Sequence, residues 1–328
     1  MRSVRIPVLD RSVCSLGFGC ASIMGRVDKK TSLSALGSAF DAGVNYFDVA
    51  RSYGYGRAEE VVGQFLKGRR DQCVVATKVG IAPSFPGFVS RVLLPAARQL
   101  VKKLPALKKL SAQRGPKLAG VSGGNFDPSQ VVESLETSLR ELGTDHVDVL
   151  LLHEVAATDL ENAELLRCLE EVVRSGKTRA IGVATQVGES ARILSRETEI
   201  SLVQVRNRMD EPGASTLEES SIPFLVTHSA MALDENKRDQ LAAWLSRHPE
   251  KLLPLQAAGL AESSPEEAIP EILLGWAMAA NPGGLTLSGM LQPAHVDANL
   301  QTAARAEACD EALLALGEAW RAESARSS

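Results

Sequence analysis

Short apolar runs dominated by Val, Ile and Leu alternate along this chain with longer segments of helical periodicity, and that alternation restricts its fold more than any other feature. The runs lie at 15–21, 44–47, 73–77, 147–152, 179–184, 201–205, 223–227 and 284–287, with helical patterns at 31–42, 58–67 and 160–174 among them. They lack polar alternation, which is how strands covered on both faces read. A strand-helix-strand order of this kind predicts an α/β fold with a parallel sheet, closed as a (β/α)8 TIM barrel.

Length agrees. A chain of 328 residues exceeds an average domain, but barrels of this type reach that size as one unit, so residues 1–328 are read as a single domain. No apolar run approaches the ~20 residues that a membrane-spanning helix needs. The start of the chain, residues 1–7, carries charge without an apolar core segment, so no secretory leader is expected and the expected location is the cytoplasm. Cys14, Cys20, Cys73, Cys168 and Cys309 are widely spaced, form no C-x-x-C pair and have no His companions at metal-site spacing. They read most simply as buried reduced thiols, and no metal site is expected. A formal net charge of −4 gives no overall attraction to nucleic acid or anionic lipid.

Four chemically versatile residues fall just beyond three of the strand-like runs. Asp48 follows 44–47, Tyr53 comes shortly after it, Lys78 follows 73–77 and His153 follows 147–152. In a parallel barrel the C-terminal ends of all strands open onto one face, so an acid, a phenol, an ammonium and an imidazole converge there. Taken singly, each has a structural alternative: Asp48 and Lys78 as a barrel-mouth ion pair, Tyr53 as a loop aromatic, His153 as a satisfied core histidine. Together they form a complete set for proton-coupled hydride transfer.

Strand-to-helix loops usually need only ~2–6 residues, yet a long segment, 81–126, separates Lys78 from the helix that starts near Asp127 and Pro128. It holds Arg91, Arg98, Lys102, Lys103, Lys108, Lys109, Arg114 and Lys117, with no Asp or Glu. Part of it is amphipathic, with Pro95 and Pro105 dividing any helix. A solvated basic excursion, a lid over a cofactor, a clamp for acidic substrates and a peripheral membrane contact all remain open for it.

The segment Phe47-Asp48-Val49-Ala50-Arg51-Ser52-Tyr53-Gly54-Tyr55-Gly56-Arg57-Ala58-Glu59, followed by Thr77-Lys78-Val79-Gly80 and Leu151-Leu152-His153-Glu154, resembles the aldo-keto reductase superfamily. So do Gly17-Phe18-Gly19-Cys20 and the stretch from Gly176 to Val183, and the likeness covers nearly the whole chain. It implies an NAD(P)-dependent oxidoreductase that moves hydride between nicotinamide and a carbonyl or alcohol. Tyr53 is then the general acid or base. Lys78 stabilises its phenolate and lowers its pKa, Asp48 holds Lys78, and His153 donates to the carbonyl oxygen.

The same resemblance places Gly19, Cys20, Asp48, Thr185, Gln204, His228, Ser229, Leu291, Gln292, His295 and Asn299 at the cofactor. Several of these depart from the family pattern. Thr185, after Ala184, replaces an Asn, and His228 takes the place of an aromatic that stacks on nicotinamide. Met290, Leu291 and Gln292 stand where relatives that prefer NADPH carry a Lys or Arg for the 2′-phosphate. Only His295 could oppose that phosphate, and histidine is mostly neutral at pH 7. The expected cofactor is NADP(H) or NAD(H), with the weak phosphate grip admitting NAD(H).

No G-x-G-x-x-G fingerprint, G-x-S-x-G elbow, Walker loop or H-E-x-x-H helix is present. His146 is expected at the bottom of the barrel, in a structural role. The expected partner is a small carbonyl or sugar substrate, with the branch that oxidises free aldoses the nearest match in motif. Two other functions stay open: a cofactor-binding regulatory barrel without turnover, and a cofactor-assisted epimerase or dehydratase. The sequence leaves substrate, reaction direction and oligomeric state undetermined.

Overall fold

The computed structural model describes residues 2–83, 124–196, 199–217 and 222–326. The parallel strands are β3 (Leu16–Gly19), β4 (Tyr46–Asp48), β5 (Val74–Val79), β6 (Val147–His153), β7 (Thr178–Ala184), β8 (Leu202–Arg206), β9 (Leu225–His228) and β10 (Leu285–Ser288). They pair in chain order and close where β10 meets β3, Thr286 opposite Leu16. This is the expected (β/α)8 barrel, each strand lying within or beside an apolar run of the sequence.

Successive side chains on a strand point to opposite faces, so each strand contributes one row to the barrel interior and one to the helices. Tyr46, Val74, Ala76, Val149, Leu151, Leu202, Val226, Leu285 and Leu287 form the interior cluster. Phe47, Val75, Val79, Leu150, Leu152, Val203 and Val205 pack outward against the helices. Gly17 shows how tightly the interior is filled: a Cβ there would come within 2.8 Å of Leu285 and 2.9 Å of Leu287. A side chain at that position would force the layer apart.

A hairpin absent from the sequence reading, β1 (Ser3–Ile6) with β2 (Arg11–Cys14), precedes the barrel. Its apolar residues Val4, Ile6 and Val13 join the interior cluster and plug the barrel end opposite Asp48. Near that end a buried Asp148 accepts from the Val75 amide at 2.9 Å and pairs with Arg70 and Arg179, tying β5, β6 and β7 together. His146 sits there too, 3.3 Å from Arg179, as expected of a structural histidine.

The helix Pro128–Leu142 starts where its signals place it. Asp127 caps it by accepting from the amides of Ser129 and Gln130, and proline occupies the first turn, where no amide hydrogen is needed. Of the basic segment 81–126, residues 84–123 lie outside the described residues. Among the described residues, no helix is long and apolar enough to cross a membrane.

Candidate active site

Period-two alternation carries the interior rows upward into polar residues. On β4, Tyr46 is followed two residues later by Asp48. On β5, Val74 and Ala76 lead to Lys78, on β6 Val149 and Leu151 lead to His153, and on β8 Leu202 leads to Gln204. The top layer of the barrel is therefore polar because the last inward position of these strands is polar. Asp48, Tyr53, Lys78, His153, Gln204 and His228 all line one cavity of about 240 Å³.

Within it, Lys78 Nζ donates to both carboxylate oxygens of Asp48, at 2.5 and 2.6 Å, and to the Val49 carbonyl at 3.2 Å. Gln204 Nε2 donates to Asp48 Oδ1 at 3.2 Å. Burial pushes the Asp48 carboxyl above the ordinary carboxylate range, while Lys78 and Gln204 oppose the rise. Burial also works against the Lys78 ammonium, yet the charges of Asp48 and Tyr53 leave its pKa raised.

Tyr53 comes from the turn after β4. Its amide donates to the Ala50 carbonyl at 3.0 Å, and Gly54 follows in left-handed backbone at φ 58°. A Cβ on Gly54 would lie 2.4 Å from the Ile23 carbonyl oxygen, so the turn accepts only glycine. Glu59, at the start of the next helix, braces the turn: it accepts from Thr77 Oγ1 at 2.6 Å and lies 3.7 Å from Arg51 Nε. One buried carboxylate thus ties the Tyr53 loop to the strand position just before Lys78.

Lys78 Nζ sits 4.9 Å from the Tyr53 ring centroid. The expectation that Lys78 lowers the phenol's pKa holds for the ammonium's own influence, but not for the net shift. Burial around the hydroxyl outweighs it, so Tyr53 is held above its ordinary value. The imidazole of His153 stands edge-on to Tyr53, with ring centroids 6.3 Å apart. Burial, then the charge of Lys78, depress His153 to about 3, and burial with Lys78 takes His228 to about 4. Both are neutral at pH 7, so each ring retains one N–H donor. His228 Nδ1 lies 2.8 Å from Ser229 Oγ.

Of the other residues the sequence reading selected, Gly19, Thr185 and Ser229 line this cavity. Cys20 lies fully buried behind its wall. Asn299 is buried and donates to Ser288 Oγ at 2.9 Å, which links the helix Pro293–Ala306 to a serine of the cavity wall. Leu291, Gln292 and His295 lie outside the cavity, Leu291 partly buried and the other two exposed, while Met290 is fully buried. The wall also contains Ala21, Ser22, Glu154 and Ser288, which the sequence reading gave no role. For Ser288 and Glu154 a signal existed: each is the last residue of, or the first after, a barrel strand.

A nicotinamide carboxamide fits this wall on one specific observation. Gln204 is 3% exposed, its Nε2 is committed to the Asp48 carboxylate, and its Oε1 is buried without a partner among the described residues. That oxygen needs an N–H donor, since leaving it unsatisfied costs ~1–3 kcal/mol. The Thr185 hydroxyl stands in the same wall. A larger cavity of about 550 Å³ lies elsewhere, lined by Val8, Leu166 and Val173, and includes none of this polar set.

Comparison with known proteins decides the family: the Aldo/keto reductase family model matches residues 15–316. The chain belongs to the aldo/keto reductase family. Among curated aldo/keto reductase relatives, the D-threo-aldose 1-dehydrogenase of a Pseudomonas species is 27% identical over 213 residues, covering 62% of this chain and 60% of that protein. The NADH-specific methylglyoxal reductase of Escherichia coli is 27% identical, with 63% of this chain and 59% of that protein covered. This chain thus spans about three fifths of those two relatives. The oxidoreductase YqkF of Bacillus subtilis is 25% identical and is matched over 95% of its length and 96% of this chain.

Solved aldo/keto reductase structures share the fold. The holo form of AKR11C1 from Bacillus halodurans superposes with a TM-score of 0.64 at 23% identity, covering 92% of this chain and 90% of that one. A Klebsiella pneumoniae aldo/keto reductase in complex with NADP and acetate gives 0.63 at 23% identity, with 94% and 90% covered.

Proposed function

We propose that this chain is an NAD(P)-dependent oxidoreductase that interconverts a small carbonyl compound and the corresponding alcohol. The observation that carries the reading is the convergence of Tyr53, Lys78, Asp48 and His153 on one cavity whose wall includes Gln204, with its buried Oε1 unpartnered among the described residues. Gln204 and Thr185 would hold the carboxamide of the nicotinamide, with His228 beside the ring and Ser229, Asn299 and the segment Leu291, Gln292 and His295 toward the rest of the dinucleotide. When bound, the dinucleotide supplies or accepts the hydride.

In the reducing direction Tyr53 gives its proton to the carbonyl oxygen, and Lys78 stabilises the phenolate that remains. Asp48 keeps Lys78 charged and fixed through its two-oxygen contact. His153, neutral across the physiological range, donates its N–H to the same oxygen and orients the carbonyl. In the oxidising direction Tyr53 acts as the base. The aldose and methylglyoxal in the names of two relatives support reading the substrate as a small polar carbonyl compound, and an aldose oxidised at its anomeric carbon is the finer reading.

The test is titration with NADH and NADPH, followed by absorbance assays over a panel of aldehydes, ketones and aldoses. Tight cofactor binding without turnover of any of them would replace this reading with a regulatory barrel. Product analysis with deuterated cofactor would expose an epimerase or dehydratase, which regenerates its cofactor within each turnover and leaves the label there.

A further inference from the structure

A second cavity of about 370 Å³ opens beside the catalytic one and shares Glu154, Thr185 and His228 with it. Three charged residues line it, Glu154, Arg206 and Glu211, of which Glu211 is paired with Arg208. Glu154 follows His153 directly, and its backbone is fixed: the amide donates to the Ala184 carbonyl at 2.8 Å, and the carbonyl accepts from the Gly124 amide at 3.3 Å. Its φ of 57° is a left-handed conformation that non-glycine residues seldom adopt without a local reason. The carboxylate is partly buried, and among the described residues it has no hydrogen bond or ion pair. Burial raises its pKa and the charge of Arg206 lowers it.

Arg206 stands across the cavity, in register with His228 on the neighbouring strand. Among the described residues it too has no ion pair, in contrast to Arg208, which is held by Asp210 and Glu211. Gln186 and Thr216 complete the polar lining.

We propose that Glu154 and Arg206 form a subsite for the hydroxyl-bearing tail of a polyhydroxylated, aldose-like carbonyl substrate, deepening the oxidoreductase reading on which it rests. The carboxylate requires donors and the guanidinium requires acceptors, and a hydroxyl is both. An anionic tail would meet Glu154 and Glu211, and a cationic one would meet Arg206. An apolar tail would strip water from two charges and return nothing. Because Glu154 adjoins His153 in the chain, a substrate whose carbonyl oxygen meets His153 carries its tail into this subsite.

The experiment compares erythrose with butanal, which share a four-carbon aldehyde chain and differ in hydroxyls, at equal free-aldehyde concentration. Wild type should favour erythrose in kcat/KM. Glu154→Leu and Arg206→Met should each cut the erythrose-to-butanal ratio about tenfold, mainly through KM, the scale of one lost hydrogen bond to a charged group. Thermal melting checks that each variant is folded, and the two substitutions lie on different strand ends, so one misfolded variant leaves the other decisive. An unchanged ratio in a folded variant overturns the subsite. Equal use of both aldehydes by wild type, or use of neither by an enzyme that turns over other carbonyl compounds, overturns the subsite alone, whereas no turnover across the panel of aldehydes, ketones and aldoses overturns the oxidoreductase reading with it.

Discussion

Lys78 holds Asp48 by both carboxylate oxygens, at 2.5 and 2.6 Å, with both side chains almost wholly out of water. Coulomb attraction is strong in such a place and so is the cost of desolvation, so neither residue is tolerable without the other. Replacing Lys78 by Met should lower the unfolding free energy by about 3 kcal/mol and abolish turnover. The double variant Lys78→Met/Asp48→Asn should recover part of the stability and none of the activity. Urea unfolding of the three proteins checks the pattern, and a single variant as stable as wild type would contradict it.

Tyr53→Phe removes the only hydroxyl assigned to proton transfer. We expect kcat to fall by about 10²- to 10⁴-fold while cofactor affinity, read by quenching of protein fluorescence, stays close to wild type. Retention of most activity would move the general acid elsewhere.

Because burial raises the Tyr53 pKa, carbonyl reduction should stay level through neutral pH and decline on the alkaline side as the phenol loses its proton. His153, depressed to about 3, should add no acid limb above about pH 4. A kcat/KM profile from pH 5 to pH 10 tests both arms, and a limb near the ordinary histidine pKa would show that His153 titrates normally.

The same shifts link pH to stability. His228, at about 4 in the folded protein, lies below its unfolded value of ~6.5, so below pH 6.5 the unfolded chain takes up a proton that the folded one refuses. Its contribution is complete above pH 6.5 and is lost as pH falls from there toward 4, by roughly 1.4 kcal/mol per pH unit at most. Melting curves at pH 7 and pH 5 should therefore differ less for His228→Gln than for wild type.

Met290 is fully buried and no Lys or Arg occurs from Met290 to His295, which leaves the proposed 2′-phosphate position without a permanent cation. NADH should be used at least as efficiently as NADPH. Gln292→Arg, at an exposed position, should shift the ratio of their kcat/KM values toward NADPH about tenfold, and a wild-type preference for NADPH would overturn this.

The order of the strands, and the four residues at their ends, follow from the sequence alone. Burial on both faces writes itself locally as unbroken Val, Ile and Leu, and period two then fixes that Lys78 shares a row with Ala76 and His153 with Leu151. The β1–β2 hairpin was missed because it is short and half exposed. Ser3, Val4, Arg5 and Ile6 do alternate, but four residues of alternation mean little until a barrel end is there to be plugged. Tertiary structure decided the rest, because desolvation and facing depend on elements far apart in the chain. It set the net direction of the Tyr53 shift, the one-sided bonding of Gln204, and the meeting of Glu154 and Arg206 across one cavity.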